Sequence, residues 1–338
     1  MPVRDGGWAR MGGRELRDVC EHVPDVAAEP ARLRTPGHWV LVGDFDGPVR
    51  AWRFARAGQV RPAAHPWRGP GEWHSSLDRE AYLAGVRRIR AEIRAGEVYQ
   101  ANLCRVLSAA LPQEPDAAAL ADRLAAGNPA PFAGAIQVPG QWVVSASPEL
   151  FLRIADGRIS SAPIKGTART PDGLTDKDRS ENVMIADLVR NDLQRICRPG
   201  TVTVEDLLAI EHHPGLVHLV TTVSGVLDTT DWRAVLAATF PPGSVSGAPK
   251  SSALRIIAEL ETAPRGPYCG LVGWAEVGED GALTAELAVG IRTFWWEDGV
   301  LRFGTGAGIT WGSEPEAEWA ETELKAERLI GLATGEPA

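Results

Sequence analysis

The feature that most constrains the fold is the order in which strand-like segments follow one another. Short apolar runs, each closed by glycine, proline or an Asp-Gly pair, succeed one another directly, and only a few helical blocks interrupt them. Strands joined by tight turns pair antiparallel, whereas strands alternating singly with helices build parallel sheets. Runs at 40–45 and 49–54 flank Asp46-Gly47, a hairpin signal. Residues 98–107, 132–136, 142–145 and 149–154 read as further strands, and Asp156-Gly157 turns the last of these back through 158–164. Runs at 216–226, 268–274, 283–294 and 300–304 complete the set. Helical spacing of Tyr82, Val86, Ile89 and Ile93 starts at Ser76-Leu77-Asp78 and stops at Gly96. Helices are also expected over 115–127, 180–196, 251–261 and 314–332. The expected class is α+β with antiparallel sheets. Residues 1–75 carry the weakest pattern and read as a short variable segment packing on a larger domain over 76–338.

Composition narrows the function. The 338 residues are 44% hydrophobic and 23% charged, ordinary for a globular chain with a large core. The net charge of −9 argues against nucleic-acid binding. An anionic substrate would therefore need local positive charge from a metal, an arginine or a lysine. No run of 18 apolar residues spans a membrane, and residues 1–14 have no apolar stretch of the signal-peptide kind. Cys20, Cys104, Cys197 and Cys269 are far apart and form no CxxC pair, so a reduced, cytoplasmic protein is expected.

Three local patterns carry chemistry. Pro163-Ile164-Lys165-Gly166-Thr167 sets one lysine between proline and glycine. Its amine, with an ordinary pKa of about 10.4, becomes a nucleophile only where burial or a nearby cation favours the neutral form. Asp178 and Glu181 on one helix, and Glu318 and Glu321 on another, share the i, i+3 spacing that puts two acids on one helix face. If the faces meet, the four carboxylates repel unless a divalent cation such as Mg²⁺ lies between them. Gly304-Thr305-Gly306-Ala307-Gly308 follows a strand and offers backbone N–H groups to an anion, but is neither a Walker nor a Rossmann loop. Pro242–Lys250 reads as a second such loop, opening the helix near Ser251.

Together these residues resemble the chorismate-utilising enzymes. The motifs are Gly96-Glu97-Val98-Tyr99-Gln100-Ala101-Asn102-Leu103, Ser147-Pro148-Glu149, the lysine run, Glu181-Asn182-Val183-Met184-Ile185-Ala186-Asp187-Leu188, Arg190-Asn191-Asp192-Leu193, His218-Leu219-Val220, Ser246-Gly247-Ala248-Pro249-Lys250, Gly290-Ile291-Arg292 and Gly306-Ala307-Gly308. The resemblance runs from about residue 76 to 333. It implies a layered α/β sandwich with two large antiparallel sheets that binds chorismate and Mg²⁺. By the same resemblance Glu181 and Glu321 are direct metal ligands, and Asp178 and Glu318 act through water; the family usually carries the longer Glu at the position of Asp178. Arg292 and the Gly306, Ala307 and Gly308 backbone grip substrate carboxylates, with Gly166 and Trp274 beside the substrate, and His218 and Thr167 line the active site. Trp274 stands where relatives more often carry tyrosine.

The branch turns on two positions. Isochorismate and salicylate synthases of the family carry a water-activating lysine where this chain has Gln100, and a neutral amide is no base at pH 7. Anthranilate synthases typically carry alanine at the position of Lys165. The lysine run resembles the aminodeoxychorismate synthases, in which the lysine attacks C2 of chorismate and ammonia then enters at C4. Glu149 resembles the family's general acid for the departing C4 hydroxyl. No cysteine lies in a Gly-x-Cys-x-Gly context, so ammonia is expected from solution or from a separate glutamine amidotransferase subunit. The competing readings are an anthranilate synthase component I and a non-catalytic chorismate-fold binding subunit.

Overall fold

The structure is a computed structural model that describes residues 6–213 and 216–335. The first 75 residues supply β1 (Trp8–Met11), β2 (Arg14–Val23), β3 (Gly37–Gly43), β4 (Val49–Gly58) and β5 (His74–Ser75). β3 and β4 form the hairpin signalled by Asp46-Gly47. β2 escaped the sequence pattern for a physical reason. Asp18 has φ 63° and the register shifts between Val19 and Glu21, so the period of two is broken inside the strand. Glu15, only 3% exposed, hides a carboxylate where alternation predicts an apolar side chain; Arg17 and the Arg61 N–H donate to it at 2.6 and 3.0 Å.

α1 (Arg79–Ala95) starts at Asp78, whose carboxylate accepts the Ala81 N–H at 2.8 Å, and ends at Gly96 with φ 83°. There follow β6 (Gln100–Ala110), α2 (Ala117–Gly127), β7 (Phe132–Val138), β8 (Gln141–Ser147), β9 (Leu150–Ala155), β10 (Arg158–Ala162) and β11 (Ile164–Ala168). α3 (Asp176–Gln194) leads to β12 (Thr203–His213) and β13 (Leu216–Val226). β12 was not anticipated. It carries two register shifts, has Leu208 at φ 56°, and exposes Val204, Leu207 and Ile210, so neither face shows an apolar alternation. Next come α4 (Trp232–Thr239), the single turn α5 (Gly243–Ser246), β14 (Gly247–Ala248), α6 (Lys250–Leu260), β15 (Leu271–Val277), β16 (Leu283–Val289), β17 (Thr293–Glu297), β18 (Val300–Ile309) and α7 (Pro315–Thr334).

The antiparallel α+β class is the one observed. Among the described residues eighteen strands join in one hydrogen-bonded ribbon. From one end it runs β12, β13, then β10 and β11, β9, β16, β15, β3, β4, β2, β1, β7, β8, β17, β18, β6 and finally β5 and β14. The halves close over one core in which Trp39, Leu41, Leu152, Ile154 and Leu287 meet Val106, Ile136, Val138 and Val143. α3 and α4 add Ile185, Leu193, Trp232 and Val235 to that core. α2 and α7 cover a second cluster around Trp142, Phe294 and Phe303, and α1 and α6 a third around Tyr82, Ile89, Leu103 and Ile256. Truncating one of these buried aromatics to alanine costs about 3–5 kcal/mol, so the layers hold their contents in fixed register.

Two expectations are corrected here. The segment 283–294 is not one strand: it breaks at Gly290-Ile291-Arg292, where Arg292 has φ 51°, and the chain turns into β17. Gly304–Gly308 is not a loop but the second half of β18, paired with β6 from Val300↔Ala110 to Ile309↔Ala101. Among the described residues no helix is long and apolar enough to cross a membrane.

Candidate active site

Lys165 owes its position to a bulge. β11 pairs with β13 at Ile164↔Val220 and again at Thr167↔His218, three steps along one strand against two along the other. The extra residue lies at Lys165-Gly166, and Gly166 has φ 91°, a conformation that costs any side chain with a Cβ. A Cβ at Gly166 would also stand 2.7 Å from the Cβ of Asp178. The lysine's Nζ donates to the Ser244 carbonyl at 2.9 Å. Burial pushes its pKa down and the Lys325 charge acts the same way, while Glu149, Glu181 and Glu321 oppose them. The net direction is toward the neutral amine.

Glu149 faces the same place. In the β9–β10 hairpin Leu150 is opposite Ala162, so the preceding Glu149 lies level with Pro163 and Ile164. It is 5% exposed. Burial raises its pKa; the Ser244 hydroxyl, the Lys165 charge and the Ile164 N–H pull the other way without cancelling it. Ser147 pins the backbone here, its hydroxyl donating to the Val289 carbonyl at 2.6 Å and accepting the Glu149 N–H at 3.2 Å. Phe151, Leu152, Val189, Leu193 and Pro242 line a small pocket beside Glu149 and surround its carboxyl with apolar groups. Burial thus drives base and acid together toward their uncharged forms, the pairing needed for a nucleophile and a proton donor. Next along β11, Thr167 Oγ1 and His218 Nδ1 lie 2.8 Å apart, with His218 buried.

The four acids converge from α3 and α7, but not equally. Asp178 closes the helix N-terminus: its Oδ2 accepts the Thr175 N–H and hydroxyl at 2.8 and 2.7 Å in a capping box. Glu181 and Glu318 are both pushed up by burial, and Glu181 Oε1 is buried with no hydrogen-bond donor. Glu321 is half-exposed and meets Lys325 at 2.5 Å. Lys177 lies 3.7 Å from both Glu181 and Glu318. As placed, no three acids among the described residues close into a metal cage. The donor chemistry nevertheless fits a hard divalent ion: carboxylate oxygens, one of them orphaned in a buried position.

Arg292 and the glycine strand complete the arrangement. Arg292 is largely buried, burial alone lowers its pKa, and among the described residues its guanidinium has no hydrogen-bond or ion-pair partner. An unpaired, partly buried guanidinium is a ready fork for a carboxylate. Gly304, Gly306 and Gly308 point the same way across β18; Cβ atoms there would strike Tyr268 at 2.0 Å, Cys104 at 2.5 Å and the Gln100 amide at 2.4 Å. Pairing of β18 with β17 stops at Phe303, and beyond it Lys325 Nζ donates to the Gly306 carbonyl at 3.1 Å. Trp274 is not brought to this place. It stands against Gly12 in a separate pocket with Leu16, His38 and Trp39.

A family model described as chorismate binding enzyme matches residues 57–331. The chain belongs to the chorismate-binding enzyme family. It is 33% identical to aminodeoxychorismate synthase component 1 of Salmonella typhimurium over 352 residues, covering 96% of this chain and 76% of that one. It is 39% identical to anthranilate synthase component 1 of Thermus thermophilus, covering 93% and 71%. Among solved structures, anthranilate synthase component I from Streptococcus pneumoniae superposes with a TM-score of 0.77 at 21% identity, covering 96% and 89%. The menaquinone-specific isochorismate synthase of Escherichia coli does so with 0.79 at 19%, covering 97% and 88%. These two establish the shared fold.

Sequence reasoning missed three residues of this chorismate-family site. Lys325 reaches the Gly306 carbonyl at 3.1 Å as well as Glu321, Ser244 holds Lys165, and Lys177 joins the acid pairs. The i, i+4 spacings of Lys177 to Glu181 and Glu321 to Lys325 were the available signal. Ser244 lies in the Pro242–Lys250 loop, but nothing in the sequence shows that its carbonyl would hold Lys165.

Proposed function

We propose that the chain is an aminodeoxychorismate synthase component I, converting chorismate and ammonia to 4-amino-4-deoxychorismate and water. The observation that carries this reading is Lys165: a bulged-strand lysine driven toward its neutral amine, beside a buried Glu149 driven toward its neutral acid. Overall likeness does not separate the branches, because aminodeoxychorismate and anthranilate synthases match comparably well.

The Lys165 amine bonds to C2 as the ring double bond shifts and the C4–O bond breaks; Glu149 donates the proton that turns the departing hydroxyl into water. Ammonia then bonds to C4, the double bond returns, and the C2–N bond breaks to release Lys165. The proton shed by the bonded amine and the one shed by ammonia restore Lys165 and Glu149. Arg292 and the backbone N–H groups of Gly306, Ala307 and Gly308 bind the substrate carboxylates, and Thr167 with His218 forms the facing wall. Glu181 and Glu321 would hold Mg²⁺ directly and Asp178 and Glu318 through water. Bound there, the ion would neutralise and orient a substrate carboxylate. The enolpyruvyl group is retained, leaving a separate lyase to form para-aminobenzoate, and a glutamine amidotransferase subunit is the proposed ammonia source.

The test is purified protein with chorismate, Mg²⁺ and ammonium, products read by mass spectrometry. A non-aromatic aminodiene supports this reading; fluorescent anthranilate as sole product overturns it in favour of the anthranilate branch, and no turnover favours a binding subunit.

A further inference from the structure

The acid cluster carries cations of its own. Lys177 Nζ lies 3.7 Å from Glu181 Oε1 on its own helix and 3.7 Å from Glu318 Oε1 on α7. Both separations exceed a hydrogen bond, so the ammonium is shared between the carboxylates rather than committed to one. The partners are shielded: Glu318 is 4% exposed, and the Glu181 oxygen facing Lys177 is buried without a donor. The lysine is not, its side chain being 50% exposed, so its head can leave for water while its stem stays on the helix. Lys325 answers Glu321.

We propose that Lys177 is a tethered counter-cation that competes with the divalent ion for Glu181 and Glu318. This rests on the metal reading above. A metal ion bonded to Glu181 takes the oxygen that Lys177 now shares, and the two cations repel, so metal entry expels the lysine into solvent. In the metal-free protein Lys177 ties α3 to α7 against the repulsion of their acids. The consequence is a metal affinity set below what the carboxylates alone would give.

The experiment is calorimetric titration of Mg²⁺ into the full chain without substrate, for wild type, Lys177→Met and Lys177→Arg, with melting temperatures in excess chelator. Lys177→Met removes the charge and keeps the stem. It is expected to bind Mg²⁺ about fivefold more tightly, the effect of a half-exposed cation with two partners. It should also melt lower than wild type in chelator and recover on adding Mg²⁺. Lys177→Arg keeps the charge and is expected to stay near wild type. If wild type binds Mg²⁺ and Lys177→Met binds it equally or more weakly, the inference is overturned. Equal tightening by Lys177→Arg overturns it too, since charge would not be the cause. If no variant binds Mg²⁺, the metal reading itself fails and takes the inference with it.

Discussion

Gly166→Ala tests whether the bulge in β11 is what aims Lys165. An alanine held at φ 91° pays about 1–2 kcal/mol for the left-handed backbone. The new methyl would also stand 2.7 Å from Asp178 Cβ, inside van der Waals contact, and overpacking of this kind costs about 1–3 kcal/mol. Asp178 cannot retreat freely, because its carboxylate closes the capping box of α3. The sum is about 2–5 kcal/mol if the bulge survives. If it straightens to escape that cost, the strand slips by one residue and Lys165 turns to the opposite face. Either way, chorismate turnover should fall well beyond the loss of folded protein. Urea unfolding gives the stability change, and turnover measured where both proteins are folded gives the rest. Wild-type stability together with wild-type turnover would refute the argument that glycine is required here and that the bulge positions the lysine.

Lys165→Ala should lose most aminodeoxychorismate formation, and mass spectrometry of wild type incubated with chorismate but no ammonia should find the adduct on the peptide containing Lys165; wild-type rate and product in the variant would make the lysine a mere lining. Adduct yield should be bell-shaped in pH, since only the neutral Lys165 amine attacks and only the protonated Glu149 donates, and the lowered Lys165 pKa and raised Glu149 pKa bring the two requirements together. Glu149→Gln should slow turnover roughly 10²–10⁴-fold and remove one limb of the bell, read from adduct yield against pH. Glu181→Gln and Glu321→Gln should each abolish Mg²⁺-dependent turnover and weaken Mg²⁺ binding by calorimetry; full turnover in excess chelator would exclude a metal role. The isolated chain should use ammonium but not glutamine, and product from glutamine with amidotransferase-free protein would contradict the proposed second subunit.

Antiparallel class and most helices were legible in the sequence because they rest on local physics. Asp78 and Gly96 bracket α1 through groups a few residues away, and Asp46-Gly47 needs only its own hairpin. The motif residues were equally legible, since Lys165, Glu149 and the acid pairs are set by residue type and spacing. What was not legible depended on partners distant along the chain. β2 and β12 break the period of two with bulges that only their neighbouring strands make tolerable. Gly304–Gly308 reads as a turn because glycine is permissive, yet it is held extended by ten paired positions of β18 on β6, and its missing side chains make room for Tyr268, Cys104 and Gln100. Trp274 belongs by motif to the substrate wall, but the ribbon carries β15 past the site to β3 and turns the indole toward Gly12. The neutral tendency of Lys165 and Glu149 is likewise a tertiary property. Sequence supplies an amine and a carboxyl, and only burial between β11, β9 and the Ser244 segment makes their charged forms costly.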